Sequence, residues 1–256
     1  MFDFRSSLSL AAVSLLAAVT AASAAEIKVL DANALTPAMK ELAAEFSKQT
    51  GDQVSFVGVS PGQVDQRIKA GEVYDLVITA TASSEAFDKE GKWLAGSRHP
   101  LARVGIGVAM RDGVKVDLST VESTRKALLD AKTITYSDSS TGGLSGINAQ
   151  KVLANLGVTD AVKGKTVLSG KLEDGQAAIA KGDIDLGLFN LSEIPRAPGV
   201  VRAGPVPAAV EVYINYDSAI PVTNTAPEPA LALLKFFRRP ASRAVWDRAG
   251  LELVGE

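Results

Sequence analysis

The chain has 256 residues, 46% of them hydrophobic, with 27 basic and 29 acidic side chains. That is enough for one or two compact cores, and the balanced charge lacks the basic face that nucleic-acid binding needs. Cysteine is absent and His99 is the only histidine, which removes disulfides, thiolate or multi-histidine metal sites and cysteine nucleophiles, and disfavours a Ser-His-Asp triad. No metal or cofactor is expected.

At the N-terminus Arg5 precedes the apolar run "LSLAAVSLLAAVTAASA", and small residues follow at Ala22-Ser23-Ala24. That order reads as a cleaved secretory signal over residues 1–24, with a soluble product in a bacterial periplasm. Residues 28–30 read as a strand, and 35–48 as a helix with Leu35, Met39, Leu42 and Phe46 on one face. A second strand follows at 53–59. The segment 61–71 starts with an early Pro and stops at a Gly, as a short helix does. The apolar run "YDLVITA" predicts a strand buried on both faces of a parallel sheet. The helix "SSEAFDKEGKW" comes next, with Ser83 or Ser84 as its cap.

The second half repeats this order. Strands are expected at 104–110, 133–138, "KTVLSG" and 184–190, and helices at 120–131, after "STGG", and at "LEDGQAAIAKG". The stretch "IPRAPGVVRAGPVP" reads as a proline-rich link. After it come a strand pattern, "VEVYINYDSAI", and the helices "PEPALALLKFF", ended by Arg238-Arg239, and "PASRAVWDRAG". Alternating strands and helices predict an α/β protein, and two such units predict two lobes with a cleft between them. Ligands of open α/β sheets sit beyond the carboxyl ends of strands. The polar turns at 31–34, 59–62, 79–84, 138–145 and 190–193 are therefore the candidates.

The signal segment, "KVLDANALTPAMKELAAEF", "RIKAGEVYDLVITA", "SDSSTGGLSGINAQKVLANLG", "GDIDLGLFNLSEI" and "FFRRPASRAVWDRAGLE" together resemble the periplasmic molybdate-binding protein family of ABC transporters. The resemblance covers essentially the whole mature chain. It implies a class II periplasmic binding-protein fold, with one lobe from 25–105 plus 211–256 and the other from 106–210. It places hinges near 102–105 and 210–213, and it implies a monomer that delivers a small anion to an inner-membrane permease.

The same resemblance implies an oxyanion held by two serines, a backbone amide and a tyrosine. By position these fall on Ala34, on Pro61 or Ser60, near Ser145, and on Asn190. Two side-chain donors are thus missing. At about 1.5–3 kcal/mol per charged hydrogen bond, their loss leaves a bare oxyanion several kcal/mol short. The replacements suit a carboxylate-bearing organic anion instead. Asn33, Ser60, Ser139, Ser140, Thr141, Ser145 and Asn190 both donate and accept, and Gly142 and Gly143 let amides approach closely. The helix from Leu144 points its N-terminus at an anion, and Arg98 and His99 offer positive charge. The same Ser/Thr/Gly chemistry also makes ordinary turns, and His99 fits a surface or hinge position.

Two functions remain open at this point. One is a receptor that closes on a small organic anion, not molybdate, for ABC-type uptake. The alternative is a periplasmic isomerase interconverting cis- and trans-aconitate by an allylic proton shift, an activity found among the family's relatives. That chemistry needs anchored carboxylates and a base of tuned pKa. Asp31, Glu193 and Tyr136 are all eligible, and the residues alone do not choose among them.

Overall fold

The computed structural model describes residues 24–141, 144–196 and 198–255. The expected signal segment and Gly142 and Gly143 therefore lie outside the described residues. In chain order the elements are β1 (Glu26–Ala32), α1 (Thr36–Thr50), β2 (Gln53–Val59), α2 (Pro61–Lys69), β3 (Leu76–Ala80) and α3 (Thr81–Lys89). Then come β4 (His99–Val104), β5 (Ile106–Arg111), α4 (Val121–Asp130), β6 (Ile134–Ser137), α5 (Leu144–Asn155), α6 (Thr159–Lys163), β7 (Thr166–Ser169) and α7 (Leu172–Lys181). The chain closes with β8 (Leu186–Asn190), β9 (Val200–Pro205), β10 (Ile214–Ala219), α8 (Glu228–Arg238), α9 (Arg243–Arg248) and β11 (Glu252–Leu253).

The strands form two sheets, ordered β11-β4-β10-β3-β1-β2 and β7-β6-β8-β5-β9. In the first, β1 pairs in parallel with both β2 and β3. The expected face of α1 is buried, with Leu35, Met39, Leu42 and Phe46 at most 2% exposed. The α1 face shares its core with Leu233, Phe237 and Trp246 from the C-terminal helices. A separate core fills the second sheet, around Ile106, Leu128, Leu153 and Leu188.

Four local expectations are corrected. The run 104–110 is not one strand: β4 ends at Val104 in the first sheet and β5 starts at Ile106 in the second. The proline-rich "link" contains β9, an edge strand. Its last residue, Pro205, sits where a missing N–H costs least. β3 is buried through Thr79 as expected, but it lies between parallel β1 and antiparallel β10, so the sheet is mixed. Helix α3 begins at Thr81, so Ser83 and Ser84 lie inside it. Ser83 donates to Asp65 at 2.6 Å, which ties α3 to α2 rather than capping it.

The chain crosses between sheets at Gly105 and again over 207–213. Glu211 ties the two crossings: its carboxylate accepts the Ile106 N–H at 2.8 Å and the Val212 N–H at 2.9 Å. A Cβ at residue 105 would come within 2.6 Å of that carboxylate, so Gly is required for the close approach. From α5, Asn148 and Asn155 donate to the carbonyls of Val212 and Val210. Burial drives the Glu211 carboxyl from the ordinary 4.5 up to about 7, against the two amide bonds that lower it. Between those values the folded protein binds more protons than the unfolded chain, so stability falls as pH rises through the window. Asp31, raised to about 6, acts in the same direction at lower pH. The melting midpoint should therefore fall between about pH 5.5 and pH 7.5, and Glu211→Gln, which keeps the acceptor oxygen, should flatten that fall; thermal melts across pH measure it.

Candidate functional site

Where the strands of both sheets end, the turns meet around a cavity of about 680 Å³. Asn33, Ala34, Ser60, Ser145 and Asn190 all line it. Each is held by its own element. The turn after β1 is fixed by the Asn33 N–H bonded to Val59 at 2.9 Å, which clips it to the end of β2. Ala34, 2% exposed, turns its methyl group into the packed base of α1. Ser60 precedes α2, and both its N–H and its hydroxyl donate to the Gln63 side-chain oxygen at 3.2 Å. The Ser60 hydroxyl is thereby oriented within a capping box with Gln63.

Ser145 and Asn190 form the buried wall. Asn190 ends β8, and its N–H donates to the Ser145 hydroxyl oxygen at 3.2 Å, joining α5 to β8. The junction is tight: a Cβ on Gly146 would sit 2.0 Å from the Ser137 carbonyl, so only Gly lets α5 start against β6. The Asn190 side-chain oxygen is buried without a partner.

The cavity also gathers residues that the turn-by-turn reading passed over. Gln63 and Gln66 come from α2, Lys171 from the turn after β7, Glu173 from the first turn of α7, and Ile214 and Tyr216 from β10. The Lys171 turn obeys the same carboxyl-end rule that marked the others. Burial first, and then the charge of Glu193, push the Tyr216 phenol upward, so it stays protonated. Of the three candidate bases, only Glu193 lines the cavity, at 8% exposure. Asp31 is fully buried, with its carboxylate turned to the Thr36 hydroxyl at the start of α1. Tyr136 packs against the core of the second sheet.

Arg98 is not among the cavity-lining residues. Thr141 ends a short 3-10 turn before α5. Arg98 is a correction, because its guanidinium is committed elsewhere. It pairs with Asp217, 1% exposed, and with Asp88 at 3.3 Å, while Thr81 donates to the other Asp217 oxygen at 2.7 Å. His99 opens β4 and lines a different hollow, beside α8. A further cavity of about 440 Å³ lies beside α4, but none of the described buried polar atoms without a partner lines it. Among the described residues no group of three or more His, Cys, Asp or Glu could hold a metal.

The profile of the bacterial extracellular solute-binding proteins matches residues 27–252. A molybdate-binding protein of Azotobacter vinelandii is 30% identical over 243 residues, covering 91% of this chain and 92% of its own. An aconitate isomerase from a Pseudomonas species is 27% identical over 238 residues, covering 89% of this chain and 88% of its own. Among solved structures, a periplasmic molybdate-binding protein of Azotobacter vinelandii superposes with a TM-score of 0.68 at 24% identity, over 90% of this chain and 99% of that one. The fold is the two-lobed one of periplasmic substrate-binding proteins.

Because Arg98 neutralises a buried carboxylate outside the cavity, Arg98→Ala should cost about 3 kcal/mol of stability, the low end for breaking a buried pair. Ligand affinity should stay within about twofold of wild type, since no cavity contact is removed. Denaturant melts and titration calorimetry check the two halves separately.

Proposed function

The chain belongs to the bacterial extracellular solute-binding proteins, and we propose that it is a periplasmic receptor for a small carboxylate-bearing organic anion other than molybdate, serving ABC-type uptake. The observation that carries this reading is the cavity lining. Ala34 and Asn190 occupy the positions where the resemblance to molybdate binders calls for a serine and a tyrosine. At Ala34 the serine's hydrogen bond to a bare dianion is absent, at about 1.5–3 kcal/mol, and at Asn190 a carboxamide replaces the phenol and sets an acceptor oxygen beside its donor.

What the lining offers instead suits a larger ligand. A volume of about 680 Å³ falls within the ~300–1,000 Å³ of pockets for small organic ligands. Carboxamides and hydroxyls of Asn33, Ser60, Gln63, Gln66, Ser145 and Asn190 supply directional bonds, and Lys171 supplies positive charge at the exposed rim. Lobe one, 25–105 plus 211–256, would close on lobe two, 106–210, with Glu211 at the hinge. A monomer handing its ligand to an inner-membrane permease completes the reading.

One observation favours a second reading, an isomerase of a small tricarboxylate. Glu193 is a buried carboxylate in the cavity wall, within electrostatic reach of the protonated Tyr216. A base and a neutral acid facing one cavity are what an allylic proton shift between cis- and trans-aconitate uses. The relative named an aconitate isomerase adds weight to it.

A ligand that binds only the folded state raises its melting temperature. In a thermal-shift screen, organic carboxylates should stabilise the protein, and molybdate and tungstate should not. Stabilisation by molybdate alone would overturn the ligand class. Incubation with trans-aconitate should return it unchanged by chromatography. Appearance of cis-aconitate that disappears in Glu193→Gln would establish the second reading in place of the first.

A further inference from the structure

The cavity contains a requirement that a plain carboxylate does not meet. Asn190 is 3% exposed, its backbone N–H is used by Ser145, and its side-chain oxygen has no partner. Of the described buried side-chain oxygens without a partner, it alone lines this cavity. Among the described residues its Nδ2 makes no hydrogen bond that would hold the carboxamide in place. A buried polar group left unpaired is costly, so this carboxamide is matched by whatever occupies the cavity. It presents one acceptor and a donor group together. An ionised carboxylate only accepts, and would leave the Asn190 oxygen unpaired. A hydroxyl both donates and accepts, and it satisfies the carboxamide in either orientation.

The charges around the wall point the same way. Glu193 lies in the wall and Glu173 at the rim, so the lining carries two carboxylates to one ammonium and favours a ligand that also donates. Lys171, exposed at the rim and without an ion pair among the described residues, is the cation that the described lining offers a carboxylate. We propose that the ligand is a hydroxy-substituted carboxylate, read by Lys171 at its carboxylate and by the Asn190 carboxamide at its hydroxyl. This rests on the reading of the site as one for organic carboxylates. Asn190 is then the specificity-determining residue, because a site built to bond a hydroxyl rejects the analogue that lacks it far more strongly than an apolar pocket rejects a missing methylene.

The test uses purified full-length mature protein and ligand pairs that differ only by a hydroxyl: citrate with tricarballylate, and malate with succinate. Titration calorimetry should show the hydroxy member of at least one pair binding ten times tighter or more. Asn190→Leu should bring that ratio to within twofold, while Lys171→Gln should weaken both members and leave the ratio standing. If carboxylates bind but every wild-type ratio is below ten, the hydroxyl inference is overturned and the carboxylate reading survives. If no member of either pair binds, the carboxylate reading fails and takes the inference with it. The wild-type ratio decides the matter even where a variant does not fold.

Discussion

The cavity depends on a short passage in which the chain leaves one sheet and enters the other. Val104 is the last residue of β4 and Ile106 the first of β5, with Gly105 alone between them. The Gly105 carbonyl accepts the Leu191 N–H at 3.0 Å, so the crossing is bonded to the residue that follows Asn190. Glu211, from the returning crossing, holds the Ile106 amide. The two cores are separate clusters, joined here by these polar bonds and by Leu144 and Leu191, which pack against the first. A carboxylate raised to about 7 at that point is a costly choice for stability. Its two amide bonds explain why it is tolerated: buried N–H groups need acceptors where regular pairing stops.

From that junction the chemistry of the cavity follows by position. Asn190 and Ser145 sit beside the first crossing, and Ile214 and Tyr216 follow the second on β10. The opposite turns, after β1 and β2, are rigid because each is anchored to its neighbour by a backbone or side-chain bond. The polar side chains of the lining are mostly neutral carboxamides and hydroxyls, with one ammonium and two carboxylates. Such a set discriminates by geometry and by donor–acceptor pattern more than by total charge.

Much of the fold was legible because burial leaves a period in the sequence. β2 and the buried run of β3 stand where their patterns put them, and the face of α1 is the predicted one. The breaks came where tertiary context overrode pattern. β9 hides in a proline- and glycine-rich stretch because an edge strand needs hydrogen bonds on one side only. The single apolar run 104–110 spans two sheets because a crossing strand stays buried on its way from one core to the next. Ser83 looked like a cap and instead serves Asp65. In the site, Asn33, Ala34, Ser60, Ser145 and Asn190 line one cavity, since each stands at or just beyond the carboxyl end of a strand or at the start of the helix that follows one. Lys171 follows one too and was overlooked, while Gln63 and Tyr216 have no local signal. Arg98 looked like a free cation because nothing nearby in sequence announces Asp217, 119 residues away.

The central claim is that this cavity holds an organic carboxylate and not a bare oxyanion. The most direct measurement is the identity of the molecule that copurifies with the native protein, by native mass spectrometry of the intact complex alongside elemental analysis. The account predicts an adduct that yields an organic acid on denaturation, with no molybdenum or tungsten. Stoichiometric molybdenum or tungsten in the purified protein would contradict it.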